Sequence, residues 1–125
     1  MQIVLDTNAL ARFFTNDIPE KAEKVEKLLE KNSLYIPDVV LPELEYVLTN
    51  HYNTSRGEII TAYRFLLAKK NIHTSPAIQK AVVLFEKTSL DMADCIIAAY
   101  SLKGSLASFD RELLRLEGIK PFWKR

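Results

Sequence analysis

Five carboxylates in this chain stand where apolar runs give way to helical patterns. Asp6 ends the run Ile3-Val4-Leu5 and is followed by Thr7 and Asn8. Glu43 lies in PELEYVL just after Pro42, Asp91 and Asp94 open DMADCII, and Asp110 follows LASF. Each has an ordinary structural use. Asp6 and Asp110 suit helix N-caps, Glu43 suits the positive end of a helix, and Asp91 with Asp94 has the spacing of a cap and its third helical residue. Focused on one edge of a fold, however, these groups repel one another unless a cation holds them. An oxygen-only set with no His or Cys beside it suits a hard ion such as Mg²⁺ or Mn²⁺. Such an ion polarises a phosphoryl oxygen and acidifies a bound water, which is the chemistry of phosphodiester hydrolysis without a covalent enzyme intermediate.

Other chemistries find less support. The three glycines are isolated, so there is no phosphate-cradling loop, and no G-x-S-x-G elbow occurs. His51 and His73 lack zinc-ligand spacing, and His51 reads as a helix-end residue. Cys95, the sole cysteine, sits in the apolar run CIIAAY and reads as a buried structural thiol. An aspartyl-phosphate phosphatase needs a second Asp two residues after the first, where this chain has Asn8.

The elements that must position the acids follow from the patterning. QIVL, SLYIP, GSLASF and IKPFW read as strands, and IHTS as a strand or a connector. PEKAEKVEKLLEK is an amphipathic helix with Ile18, Ala22, Val25, Leu28 and Leu29 on one face. PELEYVLTNHY, RGEIITAYRFLLAKK, PAIQKAVVLFEK and DRELLRL are also helical, with Pro42 and Pro76 in first turns and Asn71 suiting the end of the second of these. LDMADCIIAAYSLK is apolar on almost all sides after Asp94, which predicts a central, buried helix. Strands separated by helices predict an α/β fold, a central parallel sheet flanked by helices on both faces. Ligands of such sheets gather at the C-terminal strand ends, where Asp6 would lie.

The size of the chain, 125 residues, fits one domain spanning 1–125. With 48% hydrophobic and 26% charged residues, disorder is excluded as a description of the whole. The net charge of +1 neither announces nor excludes a nucleic-acid partner. No apolar run is long enough to cross a membrane, and the start MQIVLDTN has no signal-peptide pattern, so a cytoplasmic protein without a membrane partner is expected.

IVLDTNALARFF, PELEYVL, DMADCIIAAYSL and LASFDREL, taken in this order, resemble the four acidic motifs of the PIN-domain nucleases, and within them the VapC-type toxins of toxin–antitoxin pairs. The resemblance covers nearly the whole chain. It implies a parallel α/β fold and a Mg²⁺- or Mn²⁺-dependent endoribonuclease acting on RNA. It also implies a homodimer silenced by a cognate antitoxin. Carried over by position, it makes Asp6, Glu43, Asp94 and Asp110 the catalytic and metal-binding acids. Asp91 becomes an auxiliary acid, and Thr7, Asn8 and Ser108 become residues that orient carboxylates. Helix phase alone separates Glu43 from Glu45 only weakly. Lys69, Lys70, Arg111, Lys120, Lys124 and Arg125 are candidates for phosphate contacts, and Phe13, Phe14, Tyr63 and Phe65 for an exposed partner surface. The alternative is a PIN module that binds RNA or protein without cutting.

Overall fold

The computed structural model describes residues 2–124. These form two compact units, one ending at Ser75 and the other beginning at Pro76. Arg125, a candidate for a phosphate contact, lies outside the described residues.

The first unit is a three-stranded parallel sheet with four helices in its connections. Its order is β1 (Ile3–Val4), α1 (Thr7–Thr15), α2 (Pro19–Lys31), β2 (Leu34–Tyr35), α3 (Val40–Tyr52), α4 (Arg56–Ala68) and β3 (Ile72–His73). The sheet runs β1-β2-β3, with Ile3, Leu34 and Ile72 in register. Backbone bonds from Leu5 to Tyr35 and from Ile36 to His73 continue the pairing past the strands. β1 is an edge of this sheet. Ile3 and Val4 are exposed and only Leu5 of that apolar run is buried, so the run is less buried than its composition suggests.

Local chemistry sets the helix ends. Ser55 and Glu58 form a reciprocal capping box at the start of α4. Asn16 and Asn53 close α1 and α3 in left-handed conformations that asparagine tolerates. α2 buries Ala22, Val25 and Leu29 of its predicted face and half-buries Leu28, whereas Ile18, its N-cap, is exposed. Asn71 does not cap α4, whose C-cap is Lys69. Its amide instead donates to the carbonyls of Leu29 (2.7 Å) and Asn32 (2.8 Å), tying the end of α2 to the start of β3. Tyr63 is buried, and its hydroxyl donates to the Leu41 carbonyl at 2.6 Å. It therefore leaves the set of candidate surface aromatics. Phe13, Phe14 and Phe65 form a ring cluster of which Phe65 remains exposed.

The second unit packs α5 (Pro76–Lys87) against α6 (Met92–Ser101), followed by the single turn α7 (Arg111–Leu114). Ile78, Ala81, Val82 and Phe85 of α5 are buried, as are Met92, Cys95, Ala98 and Ala99 of α6. α6 is not buried all round, because Ile97 and Tyr100 are exposed on its other side. The expected strands GSLASF and IKPFW reduce to one parallel bridge between Leu106 and Pro121. Pro121 has no N–H to extend the ladder, so the bridge uses the Lys120 carbonyl and the Phe122 N–H on either side of it.

Candidate active-site carboxylates

In the first unit, Asp6 directly follows buried Leu5 and is the N-cap of α1. Its Oδ1 accepts the Ala9 N–H at 2.9 Å. The next residue, Thr7, reaches across to α3, where its hydroxyl donates to Glu43 Oε1 at 2.9 Å. One backbone corner thus carries the first acid and grips the second. The bond ties Glu43 to the residue that follows Asp6. Thr7, Asn8 and Glu43 line a cleft of about 540 Å³ together with Arg12, Tyr46 and Tyr52.

At the other end of these two helices, Arg12 and Tyr52 join α1 to α3. Tyr52, the last residue of α3, donates its hydroxyl to Asp17 at 2.7 Å, and Arg12 and Thr15 of α1 bind the same carboxylate. The Tyr52 hydrogen bond, helped by Thr15 and Arg12, holds the Asp17 carboxyl below its ordinary value, and the Asp17 carboxylate in turn pushes the Tyr52 phenol up. A carboxyl held down in the folded state contributes stability at pH values above its unfolded pKa. That contribution is lost as pH falls through the folded pKa. Tyr52→Phe is therefore expected to melt below the wild type at neutral pH, and the gap should close as the pH is lowered past the ordinary aspartate range. Thermal melts at a series of pH values check this, and a gap that is the same at acid pH would show that Asp17 does not supply it.

In the second unit, Asp91 is the N-cap of α6 and its Oδ1 accepts the Asp94 N–H at 2.8 Å. Asp110 is the N-cap of α7, with Oδ1 accepting from Glu112 (2.9 Å) and Leu113 (3.2 Å). The Ser108 hydroxyl accepts the backbone N–H of Asp110 at 2.9 Å, so it shapes the turn rather than touching the carboxylate. Burial pushes the Asp94 carboxyl up, and the negative charges of Asp91, Asp110 and Glu112 push it further. These four acids of the second unit thus share one electrostatic neighbourhood. Glu112 was not singled out from the sequence, although its place two residues after Asp110 in FDRE was a usable signal. Arg12 was likewise missed, because only the fold brings it to the wall of the same cleft, where its guanidinium is bound to Asp17.

Among the described residues, no three His, Cys, Asp or Glu side chains are grouped closely enough to hold a metal ion. Asp6 and Glu43 are linked through Thr7, and Asp94 and Asp110 are coupled by charge.

The chain is 28% identical over 123 residues to a VapC ribonuclease of Aquifex aeolicus (strain VF5), with 90% of each chain covered. No solved structure matches. Residues 3–119 match the PIN domain family, a span that takes in all four acidic motifs, and the chain belongs to that family.

Proposed function

We propose that this chain is an endoribonuclease that hydrolyses RNA phosphodiesters with Mg²⁺ or Mn²⁺, that it is the toxin of a toxin–antitoxin pair, and that residues 1–125 act as one domain. The likeness to a VapC ribonuclease along nearly the whole chain supports the activity and the substrate. One observation carries the chemistry. Among the described residues, no Lys, Arg or His pairs with Asp6, Glu43, Asp91, Asp94 or Asp110, although the chain holds 17 Lys and Arg residues. Carboxylates kept clear of the protein's own cations suit an external one, and their hard oxygen donors fit Mg²⁺ or Mn²⁺.

Asp6, Glu43, Asp94 and Asp110 are the side chains that would hold the ion. When bound, it supplies Lewis-acid charge at the phosphoryl group and an acidified water. The chain's own residues prepare for it. Asp6, Asp91 and Asp110 each use Oδ1 to cap a helix, which leaves Oδ2 for a ligand and fixes the plane of the carboxylate. Capping and metal binding are thus compatible uses of the same side chain. Thr7 orients Glu43 in the same way, and Ser108 orders the turn that presents Asp110. Asn8 lines the cleft beside Glu43, where it can meet substrate.

A cognate antitoxin and a homodimer complete the proposal, with exposed Phe65 and its ring cluster as apolar surface available to a protein partner. No helix among the described residues is long and apolar enough to cross a membrane. The test is incubation of total cellular RNA with the protein in Mg²⁺, in Mn²⁺ and in excess chelator. Discrete cleavage with an ion and none in chelator is expected. Cleavage unaffected by chelator would sink the metal-dependent reading. RNA binding without cleavage under every condition would favour the non-catalytic module.

A further inference from the structure

The end of the second unit exposes more aromatic surface than its fold requires. Phe109 is 86% exposed, Phe122 61% and Trp123 51%. Phe109 and Trp123 lie face to face, 4.8 Å between centroids and 4° from parallel, and Phe122 stands edge-on to Trp123. The Leu106–Pro121 bridge makes this pairing, because it lays the terminal segment beside the one that leads to Phe109. Trp123 also lines a cleft of about 750 Å³ whose walls include Arg111, Arg115, Lys120 and Lys124. All four cations are exposed, and among the described residues none pairs with a carboxylate.

Flat rings open to water beside uncompensated cations match a ligand with flat faces strung on an anionic backbone. Single-stranded nucleic acid has that form, whereas a duplex keeps its base faces stacked inside. The position of the rings adds a functional reason, since Phe109 immediately precedes Asp110. We infer that Phe109 and Trp123 form a stacking platform for a base of single-stranded RNA, with Arg111, Arg115, Lys120 and Lys124 holding its phosphates. The choice of RNA rests on the nuclease reading above. The platform would seat a nucleotide next to the bond to be cut, and would favour unpaired loops and ends over duplex.

Trp123 is the only tryptophan in the chain, so its fluorescence reports on the platform directly. The experiment titrates the full-length protein, in chelator to prevent cleavage, with unlabelled oligoadenylate, with a blunt RNA duplex and with heparin as a polyanion without bases. Oligoadenylate is expected to quench Trp123, and duplex and heparin are not. With fluorescein-labelled oligoadenylate, Trp123→Ala and Phe109→Ala should weaken binding roughly 10- to 100-fold, while Trp123→Phe retains most of it. Arg115→Ala and Lys120→Ala should each weaken binding and flatten its log–log salt dependence by about 0.7.

Oligoadenylate that binds without quenching, or with undiminished affinity in both aromatic variants, overturns the platform, and so does an absence of binding. Unchanged RNA affinity in Trp123→Ala with a lower mass by light scattering would assign the rings to a protein contact and overturn it too. The two readings fail separately. Quenching and aromatic-dependent binding without cleavage in any ion would remove the nuclease and keep the platform. Metal-dependent cleavage with neither would do the reverse.

Discussion

Asp6→Asn is expected to leave the protein folded and to lower RNA cleavage by on the order of 100-fold or more. The expectation of a native fold comes from what the substitution keeps. Asp6 Oδ1 caps α1 through the Ala9 N–H, and asparagine is as good an N-cap as aspartate, so the same bond can form. The corner through Thr7 to Glu43 is also untouched. What disappears is one negative charge at a proposed ion ligand. The pairing of lost cleavage with a native circular dichroism spectrum therefore separates chemistry from folding, which Asp6→Ala could not do. The products carry further information. A water that attacks phosphorus and expels the 3′-oxygen leaves 5′-phosphate and 3′-hydroxyl ends, whereas attack by the neighbouring ribose hydroxyl expels the 5′-oxygen and leaves a 2′,3′-cyclic phosphate. Single-turnover cleavage with end-group analysis should give the former. Full activity of Asp6→Asn would reduce Asp6 to a helix cap.

The helices and their first turns were legible because their signals are local. α2 shows its buried face in an Ala22, Val25, Leu29 spacing, Pro76 opens α5, and Asp91 with Asp94 announces the start of α6. The places of the acids in the fold were legible for the same reason, since each stands at or near a helix start that the neighbouring residues mark. What the sequence hid depends on distant partners. The strands are two residues long, and Leu106 pairs through a single bridge because proline sits opposite it. An apolar run shows hydrophobicity but not direction, so the exposed side of α6 at Ile97 and Tyr100 could not be told from its buried side. Asn71 fits a helix end by residue type, yet its partners are on α2 and in the loop after it. Arg12, Asp17 and Tyr52 form one network from segments far apart in the chain, and no spacing rule joins them.

Mg²⁺ or Mn²⁺ at about 100 times its dissociation constant is expected to raise the melting temperature of the wild type. Binding to the folded state alone contributes about 2.7 kcal/mol at that ratio, or roughly 10 °C for a chain of this size. Asp94→Asn should cut the shift by more than half, while the metal-free variant melts above the metal-free wild type. The second expectation follows from the Asp94 carboxyl, which burial and the charges of Asp91, Asp110 and Glu112 push up. A carboxyl raised in the folded state destabilises that state wherever it is ionised. The penalty is complete above the folded pKa and vanishes as pH falls below the unfolded one. Wild type and Asp94→Asn should therefore differ most at neutral pH without metal and converge in acid. Metal reverses their order at neutral pH, because the repulsion that costs the free protein stability is what a cation relieves. The measurement is a set of melts at neutral and acid pH, each with ion and with chelator. Equal metal-induced shifts in the two proteins would remove Asp94 from the ligand set, and a wild type more stable than Asp94→Asn in chelator at neutral pH would show that these acids are not held against their own repulsion.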